Sequence, residues 1–375
     1  MRIQIITSSY PGRPDDPSGT AGLFVRDFAR QLVAEGHYVV VQPAARNDKY
    51  VADEGIIIEP IPWLGGDQEL ASLSFANFRN LWIILKFFWS GFSATLETAK
   101  KHKIERVLAM WVIPSGLFAY MIRRKLGIRY DAWALGSDIW RIRKIPVLGP
   151  WVIKLAIRNA TRVMADGVQL CRDVESLTHR KCEFLPSCRK MPISAKSQAG
   201  VRSTVKLLFV GRYHKNKGPD ILIEAIALLA PEKRKSIHLD IYGLGPMESQ
   251  LRAEIELKGL GDCISLNGSI TASDMADEFI DTGFLVIPSR IESIPVVFSD
   301  AIQSGVPVIT MPVGDLPDLV ERFKCGVCAT TVSAEAFAAA IEKAMTAGEK
   351  EFRPGVESAQ KHFDIATSVK NWVQA

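Results

Sequence analysis

The run Pro288-Ser289-Arg290-Ile291-Glu292-Ser293-Ile294-Pro295-Val296-Val297-Phe298-Ser299-Asp300-Ala301-Ile302-Gln303-Ser304-Gly305-Val306-Pro307-Val308-Ile309 joins two apolar stretches of strand length, Phe284 to Ile287 and Val306 to Thr310. The spacing predicts strand, Pro-Ser turn, helix and strand, with Glu292 in the loop and Asp300 inside the helix. With Pro295 as the first helical residue, its missing N–H costs nothing. The amides that follow Ile294, those of Val296 and Val297, then make a seat for an anion. An acid near a helix start is also what the helix dipole alone would favour.

The sequence on either side repeats this grammar. Lys206 to Val210 is a strand, Gly211-Arg212-Tyr213-His214-Lys215-Asn216-Lys217-Gly218 a loop, and Asp220 to Ala230 a helix. The loop carries two cations, Arg212 and Lys217, at a strand end; the bland alternative is a solvated basic loop. Leu239 to Tyr242 forms the next strand, and Gly243 and Gly245 of its turn allow positive φ and close approach of a ligand. Cys263 to Leu266 is followed by Asn267-Gly268-Ser269-Ile270. Strands alternating with helices in this way predict an α/β fold with parallel sheets.

The first half reads similarly. Arg2 to Ser8 is a buried strand, and a loop carrying Gly19, Thr20 and Gly22 leads to a helix with Phe24, Phe28 and Leu32 at four-residue spacing. That loop is neither G-x-G-x-x-G nor a Walker motif, which argues against dehydrogenase and P-loop chemistry. Val39 to Pro43 and Arg106 to Met110 are strands, the latter running into Trp111-Val112-Ile113-Pro114-Ser115-Gly116. Ala132 to Leu135 is a strand ending at Gly136-Ser137-Asp138, where open α/β sheets place ligands; Asp138 equally suits capping of the following helix.

With 375 residues, 47% hydrophobic and 23% charged, the chain suits two domains. The expected division is 1–186, a polar linker over 187–204, 205–355, and a final segment 356–375 returning to the first domain. Six cysteines show no disulfide framework, and the lone C-x-x-C pair Cys325–Cys328 lacks the four ligands zinc requires. No apolar run spans a bilayer and Met1 leads directly into a strand pattern, so a cytoplasmic protein is expected. The net charge of +5 is concentrated between Met121 and Arg162, where ten basic residues face only Asp131 and Asp138. The aromatic-rich segment 75–89 follows helical spacing with a stripe wider than one buried face. It is either a core helix or an interfacial helix that touches an anionic membrane peripherally.

Three of these stretches resemble the retaining GT-B glycosyltransferases of family 4, the glycosyl transferases group 1. Glu292 and Asp300 stand at the E-x7-E spacing, Gly211 to Gly218 carries the Gly-Arg and Lys-Gly pairs of the family's G-R…K-G loop, and Trp111 to Gly116 matches W-x-x-P-x-G. The resemblance implies a GT-B fold, two Rossmann-like parallel-sheet domains facing a cleft. It implies that Arg212 and Lys217 hold the diphosphate of a nucleotide-sugar donor, Glu292 the sugar and Asp300 the ribose. The first loop with Gly19 and Thr20, the turn at Gly211, and main-chain groups at Gly268, Ser269 and Ile270 would complete the donor site. The chain departs from the family in carrying Asp at 300 for Glu, Leu135 where a histidine is usual, and no Asn-Gly turn near Ser187-Cys188.

Such enzymes need no dedicated nucleophile, no resident cofactor and, with two cations and no D-x-D triplet, no metal. The expected reaction is retaining transfer of a sugar to a glycan or lipid-linked acceptor; nucleic acid is not an expected partner. Two alternatives stay open: a non-catalytic nucleotide-sugar-binding subunit, and a sugar-nucleotide epimerase of the same fold.

Overall fold

The computed structural model describes residues 1–11, 22–44, 53, 55–65, 78–192 and 204–374. The chain divides into two compact units, Met1–Ser187 with Val369–Ala375, and Cys188–Ser368. Most of the expected linker, 193–203, and the expected donor-loop residues Gly19 and Thr20 lie outside the described residues.

The first unit is a seven-stranded parallel sheet. Its strands are β1 (Arg2–Thr7), β2 (Tyr38–Pro43), β3 (Ile56–Ile58), β4 (Arg106–Met110), β5 (Arg129–Ala134), β6 (Val163–Ala165) and β7 (Glu183–Phe184), in the order β3-β2-β1-β4-β5-β6-β7. Five of the six residues of β1 are buried, as in a strand covered by helices on both faces. Burying each of Ile3, Ile5 and Ile6 contributes about 1.5–3 kcal/mol. The two buried polar residues of β1 are Gln4, whose amide nitrogen donates to Gln42 and to the Thr95 carbonyl, and Thr7, whose hydroxyl donates to the Ser9 carbonyl at 2.8 Å. Within this unit Trp372, near the end of the last helix, Ile365–Gln374, is fully buried. It donates to Asp131 at 3.1 Å and lies under the guanidinium of Arg106, 4.4 Å from the ring centre.

The second unit is a six-stranded parallel sheet with the order β10-β9-β8-β11-β12-β13. Its strands are β8 (Val205–Val210), β9 (Ile237–Tyr242), β10 (Ile264–Asn267), β11 (Phe284–Ile287), β12 (Val308–Thr310) and β13 (Gly326–Cys328). The chain runs outward from β8 through β9 to β10, then returns to β11 and runs the other way. The order therefore reverses between β8 and β11, and the loops leaving those two strands diverge there to opposite sides. Open α/β sheets hold ligands at such a switch point, beyond the carboxyl ends of the strands.

Two expectations shift. Of segment 75–89, residues 75–77 lie outside the described residues and 78–89 fall in helix Phe78–Lys101, whose Ile83, Ile84 and Phe87 are buried in the core while Trp82, Leu85 and Trp89 are exposed. Core and exposed apolar face coexist on one helix. The C-terminal segment is two helices, Glu349–Gln360 and Ile365–Gln374, because the Asp364 carboxylate accepts from the Thr367 amide at 2.8 Å and starts a new helix.

Candidate active site

The loops carrying Arg212, Lys217 and Glu292 leave β8 and β11, the two strands on either side of the switch point. After β8 the chain makes a tight turn over Lys215–Lys217, capped by the His214 ring accepting from the Asn216 amide at 3.2 Å. Gly218 ends the turn at φ +70°. A side chain there would be strained, and its Cβ would lie 2.1 Å from the Pro288 carbonyl oxygen, so glycine lets this loop press against the end of β11. Arg290 locks the two loops. Its amide donates to the Asn216 carbonyl at 2.8 Å, and its guanidinium takes both carboxylate oxygens of Asp220 at 2.8 and 2.7 Å and the Lys215 carbonyl at 2.6 Å. That pairing helps hold the Asp220 carboxyl below its ordinary range against the opposing effect of partial burial.

Across this junction the ammonium of Lys217 donates to the carboxylate of Glu292. Both side chains are partly exposed. The Glu292 backbone is fixed from the far side by Gly314, at φ +56°, whose Cβ would lie 2.2 Å from the Glu292 carbonyl oxygen. Arg212 is exposed on the same loop as Lys217. An ammonium has three N–H donors, and Glu292 occupies one. The remaining donors and the Arg212 fork make a cationic rim able to receive an anion.

Helix Val296–Gln303 begins beside Glu292. Pro295 is its N-cap, with ψ 139°, rather than its first helical residue, so the helix starts one residue later than expected. Ile294 and Pro295 are buried, while Val296 and Val297, whose amides lead the first turn, are half-buried. Gly268 and Ser269 are exposed at the end of β10, and no atom lies within 4 Å of a Cβ built on Gly268.

Other expected residues have different surroundings. Asp300 is fully buried and its carboxylate accepts from Arg189 Nε at 2.8 Å and Nη2 at 2.6 Å, so a cation of the chain itself faces it. Gly243 and Gly245 serve the protein's own backbone: their Cβ atoms would lie 1.9 Å from the Gly211 carbonyl oxygen and 2.5 Å from that of Tyr213. Tyr213, buried between these loops, places its hydroxyl within hydrogen-bond reach of the carbonyls of Ile241 and Asn267, which share its one proton, at the ends of β9 and β10. In the first unit, Asp138 is buried and accepts from the amides of Val112 at 2.5 Å and Leu135 at 3.1 Å. Burial pushes its carboxyl up to about 6 in spite of those amides. Its carboxylate ties the loop after β4 to the end of β5 rather than opening to a ligand. Cys325 is buried and burial pushes its thiol up to about 12, away from redox chemistry at the C-x-x-C pair.

Residues 195–361 match the family model of glycosyl transferases group 1. A D-inositol 3-phosphate glycosyltransferase from Paenarthrobacter aurescens (strain TC1) is 30% identical over 149 residues, covering 38% of this chain and 36% of that relative. The chain thus matches only about a third of the length of that curated relative. Among solved structures, a sucrose-phosphate synthase from Thermosynechococcus elongatus superposes with TM-score 0.75 at 17% identity, covering 100% of this chain and 97% of its own. Anabaena Alr3699/HepE in complex with UDP gives TM-score 0.72 at 16% identity, covering 100% and 99%, and is also solved with UDP-glucose. Residues 195–361 are thus similar to the glycosyl transferases group 1 family, and the two parallel-sheet units share the GT-B fold of these solved structures.

Proposed function

We propose that the protein transfers a sugar from a nucleotide diphosphate sugar to a hydroxyl of a glycan or lipid-linked acceptor, with retention of anomeric configuration. The observation that carries this reading is the Lys217–Glu292 pair astride the β8–β11 switch point, with Arg212 on the same loop and a helix N-terminus beside it. As the sugar–phosphate bond breaks, negative charge grows on the departing diphosphate. Cations and amides already in place stabilise that state more than the ground state. Glu292, held by Lys217 and by the turn at Gly314, accepts from the hydroxyls of the sugar. The donor phosphate takes the acceptor's proton on the face it leaves, so no side-chain nucleophile is needed. Arg212 and Lys217 supply the charge a metal would otherwise provide, and a chelator is expected to leave turnover unchanged.

The UDP and UDP-glucose complexes of Alr3699/HepE make uridine diphosphate sugars the first donors to try. Thermal stabilisation by a panel of UDP-, GDP- and ADP-sugars finds the donor, because a ligand of the native state raises its apparent stability. NMR of the transferred sugar then reads the anomer. Stabilisation by no member of the panel would remove the donor site, and an inverted anomer would remove retention. A second reading is favoured by Leu135 and by the Arg189–Asp300 pairing: a nucleotide-sugar binder without turnover. Tight donor binding with neither hydrolysis nor transfer selects it, and product formed from donor alone selects an epimerase.

A further inference from the structure

Two groups of exposed apolar side chains in the first unit have no role in its packing. On helix Phe78–Lys101, Leu81, Trp82, Leu85 and Trp89 recur along one face; Trp89 is 83% exposed. At the start of helix Leu148–Arg158, Val147 is 87% and Trp151 58% exposed. Val147 also sits at φ +59°, a conformation disfavoured for a β-branched residue, so neither packing nor backbone preference explains why the chain presents it to solvent.

The topology puts both groups in one layer. Both helices flank helix Leu117–Leu126, which packs against each of them, and right-handed crossovers place all three on the same face of the sheet. Each flanking helix leads into the amino end of a strand, β4 or β6. Their first turns, which carry the exposed residues, therefore lie together toward the carboxyl edge of the sheet. Adjacent helices pack at about 8–10 Å, so the two groups are roughly 20 Å apart.

The charge around them is mainly positive, although Arg143 Nη1 lies 3.9 Å from the Asp173 carboxylate. Lys86 lies over the Trp82 ring, 4.5 Å from its centre, and Arg141, Arg143 and Lys144 are exposed just before Val147. No acid occurs between Asp138 and Asp166 in the sequence, and the acids closest to the basic run, Asp131 and Asp138, are buried. Exposed apolar side chains beside an excess of cations match the chemistry of an anionic bilayer surface: tryptophans enter the headgroup region while lysines and arginines meet lipid phosphates. No helix among the described residues is long and apolar enough to cross a membrane, so the contact is interfacial.

We propose that this face of the first unit docks on an anionic lipid surface, with Trp89 and Trp151 as the inserting side chains and Arg141, Arg143 and Lys144 as the headgroup contacts. The inference stands apart from the proposed donor site, whose Arg212, Lys217 and Glu292 belong to the second unit.

Flotation of the full chain with phosphatidylcholine vesicles, with and without phosphatidylglycerol, tests it. Binding is expected only to the anionic vesicles and to weaken with salt. Leu85→Ser/Trp89→Ser and Val147→Ser/Trp151→Ser are each expected to lower partitioning about tenfold. Arg141→Gln/Arg143→Gln/Lys144→Gln is expected to do the same and to flatten the salt dependence. Leu257→Ser, an exposed change in the second unit, is expected to have no effect. Unchanged melting temperatures show that the variants fold. No flotation, equal flotation on neutral vesicles, or full binding by all three variants would overturn the proposal. So would a dimer in light scattering that the apolar variants dissociate, which would assign the face to a second copy of the chain. Nucleotide-sugar affinity measured alongside is expected to stay constant in every variant.

Discussion

Arg189 and Asp300, 111 residues apart in the chain, form a two-point ion pair with both side chains nearly excluded from solvent. Removing one partner from such a buried pair costs about 3–5 kcal/mol. Arg189→Met is therefore expected to destabilise the protein by that amount in urea denaturation, and adding Asp300→Leu to recover most of it. If the pair is structural, Asp300→Asn changes nucleotide-sugar affinity by less than about threefold in calorimetry. A loss of thirtyfold or more would return the carboxylate to the ribose.

The cations after β8 make a contrasting prediction. Arg212 is exposed and Lys217 only partly buried, so Arg212→Ala is expected to leave stability within about 0.5 kcal/mol of wild type. Loss of one preorganised group facing the developing charge is expected to lower kcat about 10²–10³-fold. Steady-state rates with the donor found by thermal shift decide this, and an Arg212→Ala enzyme with full activity would remove the cationic rim from the mechanism.

The Glu292 side chain is tested by removing its charge alone. Glu292→Gln keeps the shape and an oxygen for Lys217 but loses the ionic part of that contact. The expected outcome is a fall in kcat of at least about tenfold with an intact fold, read by circular dichroism and turnover. An equal fall for Arg290→Gln, which frees the turn carrying Lys217 from Asp220, would show that loop placement and not the carboxylate is limiting.

The alternation of strands and helices was legible because parallel strands covered on both faces must be continuous apolar runs, and β4 and β11 lie where those runs predict them. β3, only three isoleucines long, gave too short a run to separate from loop. The meeting of Lys217 and Glu292 was legible only through a spacing shared with a family, since 75 residues separate them. The partners of Asp138 and Asp300 were not legible. One is held by backbone amides, which every residue carries, and the other by an arginine in a segment without periodicity. The glycines at 243 and 245 signalled close approach correctly, but the approaching atoms are the chain's own carbonyls.

Burial of Asp138 gives a pH dependence with a definite sign. Its folded carboxyl titrates near 6, above its ordinary value of 3.8, so the native state holds the proton more tightly than the unfolded chain. The benefit of that proton is complete below about 4 and is lost as pH rises through about 6, a change of roughly 3 kcal/mol at one unit per 1.36 kcal/mol. Asp138→Asn lacks this titration. The stability of wild type relative to Asp138→Asn is expected to fall between pH 4.5 and pH 7.5, measured by urea denaturation at both; a rise would mean that the amides of Val112 and Leu135 outweigh burial.

Trp372 closes the first unit from the far end of the chain. Its ring meets Phe28 at 5.9 Å, its N–H reaches Asp131, and its carbonyl accepts from Arg162 Nη1 at 2.9 Å. Trp372→Ala removes a fully buried indole and leaves Asp131 with one donor fewer, so a loss of about 3–5 kcal/mol is expected. Trp372→Phe keeps much of the ring contact and drops only the hydrogen bond, which sets its expected cost nearer 1–3 kcal/mol. Because Arg106 still pairs with Asp131 at 2.7 Å, the carboxylate stays compensated in both variants. If denaturation finds the two substitutions equally damaging, the N–H to Asp131, and not the burial of the ring, holds the last helix in place.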